Sequence, residues 1–113
     1  MIYLLVAHIA GAVVSGGAVF WTWVNIIGNT PSHNSSKILQ GLTIFEILSG
    51  TVLAILGNGS AIHACTNIGL YATVLAGTIA VAEYKTTKVF AWQPVVQNIS
   101  LALGAMAFIL GIK

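Results

Sequence analysis

Residues 2–27 of the chain read IYLLVAHIAGAVVSGGAVFWTWVNII and contain no Lys, Arg, Asp or Glu. About 30 Å of hydrocarbon requires about twenty residues of α-helix, and this run is longer than that. No basic segment precedes it, and no small-x-small cleavage site leads into a polar sequence, so it does not resemble a cleaved signal peptide. The run therefore predicts a membrane-spanning helix.

The composition of the whole chain also indicates a protein that lies in lipid. The chain has 113 residues, of which 58% are hydrophobic and 5% are charged. A soluble domain has roughly 25% charged residues, which this chain cannot match. The net charge of +2 is small and dispersed, which argues against nucleic-acid binding. A single cysteine, Cys65, excludes an internal disulfide and a cysteine-based metal cluster. The composition therefore predicts a small integral membrane protein whose main partner is the lipid bilayer.

Three further apolar runs approach or exceed the spanning length. With the first run at 2–27, they predict helices at about 38–56, 61–82 and 92–112. Short connections between successive helices favour antiparallel neighbours. We therefore expect one all-α domain over residues 1–113, built as an up-down four-helix transmembrane bundle.

The connections between these runs have turn chemistry. Residues 28–37 form a polar stretch, residues 57–60 read GNGS, and residues 83–88 are the most charged segment. Ser60 is placed to cap the third helix. Pro94 falls in the first turn of the fourth helix, where its missing N–H is tolerated.

The placement of lysine predicts the orientation in the membrane. Lys37, Lys85 and Lys88 lie in or beside the first and third connections, whereas the opposite side has only Lys113. Cytoplasmic loops are enriched in Lys and Arg. We therefore expect the first and third connections in the cytoplasm and both termini outside it.

A few polar or ionisable side chains interrupt the apolar runs. In lipid such groups are costly, and they usually face the bundle interior or a functional cavity. His33 belongs to a polar connection and is interpreted as solvated. The candidate functional residues are His8, Glu46, His63, Asn67 and Asn98.

His8 and His63 are predicted to lie at similar depth in the outer half of the bilayer. Two neutral imidazoles that face each other across a bundle can supply both axial ligands of a haem iron. Gly11 and Ser15 follow on the His8 face, and Asn67 follows on the His63 face. The pattern favours haem b between helices one and three, ligated by His8 and His63 and contacted by Gly11, Ser15 and Asn67.

The same residues also have a structural interpretation. A histidine near the end of a membrane helix is often hydrogen-bonded to a neighbouring helix, and small-residue stripes commonly mediate helix packing. A role in proton or quinone chemistry is a third interpretation. Zinc and di-iron sites are disfavoured because the chain has no His-x-x-x-His or Glu-x-x-His pair. Cys65 lies on nearly the opposite helix face from His63 and cannot share a metal ion with it.

Glu46 lies near the middle of the second apolar run. It shares a helix face with Thr43, Ser49 and Gly50. A carboxyl group in a low dielectric tends to be neutral at pH 7 unless it is paired, and the sequence indicates no basic partner nearby. The functional interpretation is a proton site or a quinone contact. The structural interpretation is a hydrogen bond to Asn98, to Asn67 or to a hydroxyl group.

Three stretches of the chain resemble the small four-helix SirB-type membrane proteins. They are Tyr3-Leu-Leu-Val-Ala-His8, Phe45-Glu46-Ile-Leu-Ser-Gly50, and Leu70-Tyr71 followed by Leu75-Ala-Gly77-Thr-Ile-Ala80. Where that family has a further histidine and an aspartate at the start of helix two, this chain has Gln40, Thr43 and Glu46. The resemblance implies a four-helix membrane architecture rather than a particular activity.

These observations lead to one function hypothesis and two alternatives. The first is a small b-type cytochrome-like or electron-transfer subunit, with quinone as a candidate partner; the sequence does not indicate whether it is an enzyme. The second is a non-catalytic accessory subunit that packs against other membrane subunits through Gly104, Ala105 and Ala107 of helix four. The third is a proton-coupled carrier that works as a homo-oligomer and uses Glu46.

The predicted orientation can be tested by thiol labelling of intact cells. In a Cys65→Ser background, a cysteine at Thr86 should resist a membrane-impermeant thiol reagent, and a cysteine at Gly59 should react, because only the second faces outward. Labelling of both cysteines in lysed cells is the control. The reverse pattern in intact cells would contradict the predicted orientation.

Overall fold

Four long helices make up the protein. The computed structural model describes residues 2–29, 33–57, 60–90 and 92–112. The helices are α1 (Ile2–Ile27), α2 (His33–Leu56), α3 (Ala61–Thr87) and α4 (Trp92–Ile112). Each helix is long and apolar enough to cross a membrane, and together they pack as an up-down bundle. The predicted fold is therefore confirmed, and the chain is a multi-pass membrane protein.

Two helices are longer than the sequence predicts. α2 begins at His33 instead of residue 38, and α3 ends at Thr87 instead of residue 82. At the start of α2, Ser35 and Ser36 are buried, and their burial stabilises a helical turn of polar residues. At the end of α3, Thr86 Oγ1 donates a hydrogen bond to the carbonyl four residues earlier, as threonine hydroxyls commonly do in helices. Polar composition alone therefore misplaced both ends. The His33 side chain lies outside the described part of the chain.

The predicted helix starts at Ser60 and Pro94 are confirmed. Ser60 is the N-cap of α3, and its side chain accepts a hydrogen bond from the backbone N–H of His63. Pro94 is the third residue of α4, where no intrahelical partner for its nitrogen is needed. Lys88 is the C-cap of α3: its N–H donates to the Tyr84 carbonyl, and its left-handed φ of 64° turns the chain away from the helix axis.

The helices pack as a flattened rhombus. α2 and α3 pack against each other and against both remaining helices. Within the described residues, α1 and α4 do not pack against each other, so they occupy the far corners. The resulting molecule measures 44 × 25 × 17 Å along its principal axes.

Two clusters contain most of the buried apolar side chains. The larger cluster joins α2, α3 and α4 and contains Ile47, Ile68, Ala72, Ala102 and Ile109. The smaller one, Leu39, Leu75 and Ile79, packs against Ala18 and Val19 of α1. The buried residues of α1 are Ser15, Thr22 and Ile26. α1 is therefore the least buried helix, and the space between it and α3 is incompletely filled.

Ile109 and its neighbour Leu110 allow a matched test of packing in α4. Ile109 is 0% exposed, and Leu110 is 57% exposed and faces the lipid. Ile109→Ala should lower the free energy of unfolding by about 2 kcal/mol through the cavity it leaves, and Leu110→Ala should have little effect. Thermal unfolding in detergent micelles measures both. Equal effects of the two substitutions would contradict the assigned face of α4.

Candidate functional site

An ionisable pair joins α1 to α2 inside the membrane-spanning region. His8 Nδ1 lies 3.2 Å from Glu46 Oε2 and 2.7 Å from Ser49 Oγ. The Glu46 side chain is only 5% exposed, and that of His8 is 28% exposed. His8 is six residues into α1, about 9 Å along the helix at 1.5 Å per residue. The two groups therefore meet at a depth where water cannot readily replace the contact.

The hydrogen bonds around the pair determine which imidazole nitrogen is engaged. The Ser49 hydroxyl donates to the Glu46 backbone carbonyl at 3.2 Å. Ser49 Oγ then serves as the acceptor for His8 Nδ1–H, and Glu46 Oε2 is a second acceptor for the same group. Nδ1 is therefore the engaged ring nitrogen, and Nε2 has no hydrogen-bond partner among the described residues.

Two glycines allow α1 and α2 to approach closely at the pair. A Cβ atom added to Gly11 would fall on Glu46 Oε1 and would lie 2.9 Å from Phe45 Cε1. A Cβ atom added to Gly50 would lie 3.2 Å from His8 Cε1. Each ionisable side chain therefore packs over a glycine of the facing helix. Larger residues at these positions would push the imidazole and the carboxyl apart.

A cavity of about 740 Å³ lies beside the pair, between α1, α2 and α3. This volume is within the range of about 300–1,000 Å³ found for small-molecule sites. Ala12 and Gly16 of α1 and Leu70 and Val74 of α3 line it while being exposed themselves, so it opens towards the lipid at the seam between α1 and α3. Most of the wall is apolar. Its polar side chains are those of His8, Ser15, Glu46, Ser60, Asn67 and Tyr71.

A second group of hydrogen bonds lies two helical turns along α1 from His8. The Tyr71 hydroxyl donates to the Leu42 carbonyl at 3.2 Å. Tyr71 also lies 3.0 Å from Ser15 Oγ, and because its own proton is used, Ser15 is the donor in that contact. Both hydroxyl protons are therefore committed within the protein, and what these groups can still offer a ligand is acceptor lone pairs.

The structure brings together some of the residues that the sequence singled out. His8, Ser15, Asn67 and Glu46 all line the cavity. Gly11 contributes by making room for the Glu46 carboxyl group. His63 is exposed and is not among the residues that line the cavity. Ligation of haem by both His8 and His63 therefore stays a prediction. The described residues contain no cluster of three or more His, Cys, Asp or Glu side chains that could hold a metal ion.

The partner of Glu46 was missed by the sequence analysis. We considered Asn98, Asn67 and hydroxyl groups and found no nearby base, but the partner is His8. Asn98 is 2% exposed, and its Nδ2 has no hydrogen-bond partner among the described residues. The sequence did contain a signal for this contact. Gly11 follows His8 by three residues and Gly50 follows Glu46 by four, so each ionisable residue has a glycine about one turn away on its own helix. Tyr71 was also missed as a site residue, because its aromatic ring fits an ordinary apolar helix face.

A second cavity lies between α2 and α4 and is almost entirely apolar. Its volume is about 660 Å³, and Leu48, Val52, Gly104, Ala105 and Phe108 are among the residues that line it. Two of the three residues predicted to contact another subunit, Gly104 and Ala105, are therefore on its wall. No charged side chain lines it among the described residues, so it lacks the chemistry of the first cavity. The predicted accessory-subunit contact of α4 stays a prediction.

Comparison of the chain with family models, curated proteins and solved structures finds no match. The resemblance to the SirB-type membrane proteins therefore stays a prediction.

The glycine beneath the Glu46 carboxyl provides a sharp test of the pair. Gly11→Ala should force the carboxyl group away from His8 or separate the two helices, and either change should lower the melting temperature in detergent. Gly17→Ala is the control because a Cβ atom there meets nothing within 4 Å. Since alanine favours helix over glycine by about 1 kcal/mol, Gly17→Ala should be neutral or stabilising.

Nuclear magnetic resonance of the ¹⁵N-labelled imidazole gives a second measurement. The Nδ1 signal of His8 should change in Gly11→Ala and remain unchanged in Gly17→Ala, because only the first substitution disturbs the Nδ1 hydrogen bonds. An unchanged His8 signal in Gly11→Ala would show that the pair does not depend on this glycine.

Proposed function

We propose that the protein is a proton-coupled carrier that binds a small lipophilic solute in the cavity between α1, α2 and α3. One observation carries this proposal: the His8–Glu46 pair forms part of the wall of that cavity. A solute in the cavity therefore contacts the proton-exchanging groups directly. The interpretation develops the carrier alternative that Glu46 suggests in the sequence.

The electrostatics of the pair support coupling between solute and proton. An isolated charge is expensive to bury, so the pair is most stable when its net charge is zero. Zero net charge requires one proton shared between His8 and Glu46, as an ion pair or as two neutral groups. A charged solute in the cavity alters the local charge. It therefore changes the number of protons bound to the pair in its most stable state.

The position of the cavity supports entry from the lipid. The seam between α1 and α3 is formed by small residues on one side, Ala12 and Gly16, and by Leu70 and Val74 on the other. α1 packs loosely, with few buried residues. A solute dissolved in the bilayer can therefore approach the site through an opening that requires no separation of the well-packed α2–α3–α4 cluster.

Haem binding is a second candidate, and one specific observation favours it. Histidines that ligate a metal usually donate their other ring N–H to a carboxylate, a carbonyl or a water molecule. His8 has a comparable arrangement, with Nδ1 in contact with Ser49 and Glu46 and with no hydrogen bond to Nε2 from the described residues. His8→Ala should then abolish the visible haem spectrum of protein purified with full haem supply. A colourless wild-type protein would exclude haem binding.

The carrier proposal predicts proton movement that depends on Glu46. We expect at least one of three probes of similar shape to drive proton flux in proteoliposomes loaded with a pH-sensitive dye. The probes are tetraphenylphosphonium, triphenylphosphine oxide and tetraphenylborate. Glu46→Gln should reduce that flux to the level of protein-free liposomes, because the amide cannot exchange the proton.

The matched control for this test is Glu83→Gln. Glu83 is the other acidic residue of the chain, lies near the end of α3 and does not line the cavity. Its replacement should leave the flux unchanged. If none of the three probes moves protons above the protein-free level, the carrier proposal is wrong.

A further inference from the structure

We infer that the solute is a lipophilic organic cation of single charge, such as a substituted ammonium ion, and that it exchanges for one proton. This inference rests on the proposed carrier function and adds the class of substrate. It follows from the charge of the His8–Glu46 pair and from the donors and acceptors that the cavity leaves unused.

The charge balance fixes the stoichiometry of the exchange. Before binding, the pair shares one proton and is neutral overall, whichever of the two groups holds that proton. After a monovalent cation binds, neutrality requires the Glu46 carboxylate and a neutral His8 imidazole. The proton leaves to water or buffer, and no bond other than that to the proton is broken. The binding of one monovalent cation therefore releases one proton.

The hydrogen-bond inventory argues for a cation over an anion. Close to the His8–Glu46 pair, the hydroxyl groups are engaged within the protein: Tyr71 donates to the Leu42 carbonyl, Ser49 donates to the Glu46 carbonyl, and Ser15 lies 3.0 Å from the Tyr71 hydroxyl. Glu46 Oε1 is a buried acceptor without a hydrogen-bond partner among the described residues. This oxygen faces Gly11 and is closed to the cavity, so what Glu46 offers a solute is the negative charge of its carboxylate, which attracts a cation and repels an anion.

The remainder of the wall fits the same class of ligand. Among the residues that line the cavity, the titratable ones are His8 on α1, Glu46 on α2 and Tyr71 on α3, and no lysine is present. Glu46 is therefore the one carboxyl group on the described wall of the cavity. Tyr71 also places an aromatic ring on the wall, and such rings attract cations. The apolar majority of the wall requires that the cation be lipophilic.

Binding and proton release by the purified full-length chain test this inference. Equilibrium dialysis in weakly buffered detergent should detect tetraphenylphosphonium binding, and a pH indicator should record about one proton released for each cation bound. Triphenylphosphine oxide and tetraphenylborate should bind at least tenfold more weakly. Glu46→Gln should weaken cation binding at least tenfold, and Glu83→Gln should not. A melting curve for each variant checks that it is folded.

The outcomes separate this inference from the carrier proposal. Cation binding by the wild-type protein without proton release overturns the exchange, whatever the variants do. Proton movement with the neutral or anionic probe but not with the cation overturns the substrate class and leaves the carrier proposal standing. Failure of all three probes overturns both. If Glu46→Gln does not fold, Glu46→Asp, which retains the charge, should still release the proton on binding tetraphenylphosphonium.

Discussion

The contact between His8 and Glu46 is the constraint on which the arrangement of α1 depends. A carboxyl group buried in a bundle surrounded by lipid must find a partner, because a lone charge in a low dielectric costs several kcal/mol or more. Here the partner is an imidazole on the neighbouring helix, 3.2 Å away. Gly11 and Gly50 bring the two helix backbones close enough for the contact. A polar interaction, rather than apolar packing, therefore determines how the first helix meets the second.

This dependence on one polar contact explains the uneven packing of the bundle. α2, α3 and α4 share a cluster of well-buried apolar side chains, whereas α1 adds few buried residues of its own. In lipid, apolar side chains gain no transfer energy from facing another helix, so packing and hydrogen bonds determine association. α1 is held to the bundle by His8, by Ser15 against Tyr71 and by Trp23 against Thr78. The space left between α1 and α3 is the cavity, and two of the contacts that hold α1, that of His8 with Glu46 and that of Ser15 with Tyr71, form part of its wall.

Much of the architecture could be predicted from local sequence. The absence of charge over residues 2–27 and the spacing of three further apolar runs were sufficient to predict four spanning helices. Ser60 and Pro94 marked helix starts through chemistry that operates within a single turn. The misplaced ends, at His33 and Thr87, arose because polar residues at the membrane boundary can continue a helix when burial or hydroxyl-to-carbonyl hydrogen bonds stabilise them. Neither the burial nor these hydrogen bonds can be predicted from amino-acid composition.

The sequence by itself determined that the protein lies in a lipid bilayer and that it has four helices. It also determined the small set of polar residues whose side chains are costly to place in lipid. Those properties depend on composition and on residues close in the chain. Only the tertiary structure decided which of these residues meet. Equal depth suggested that His8 would face His63, but helix rotation places His8 against Glu46 and Ser49 and leaves His63 exposed. Rotation and separation of helices depend on which side chains interlock across the whole interface, including the two glycines. That information lies in residue pairs 35, 38 and 42 positions apart, which are Gly11 with Glu46, His8 with Glu46, and His8 with Gly50, and it cannot be read from a single helix.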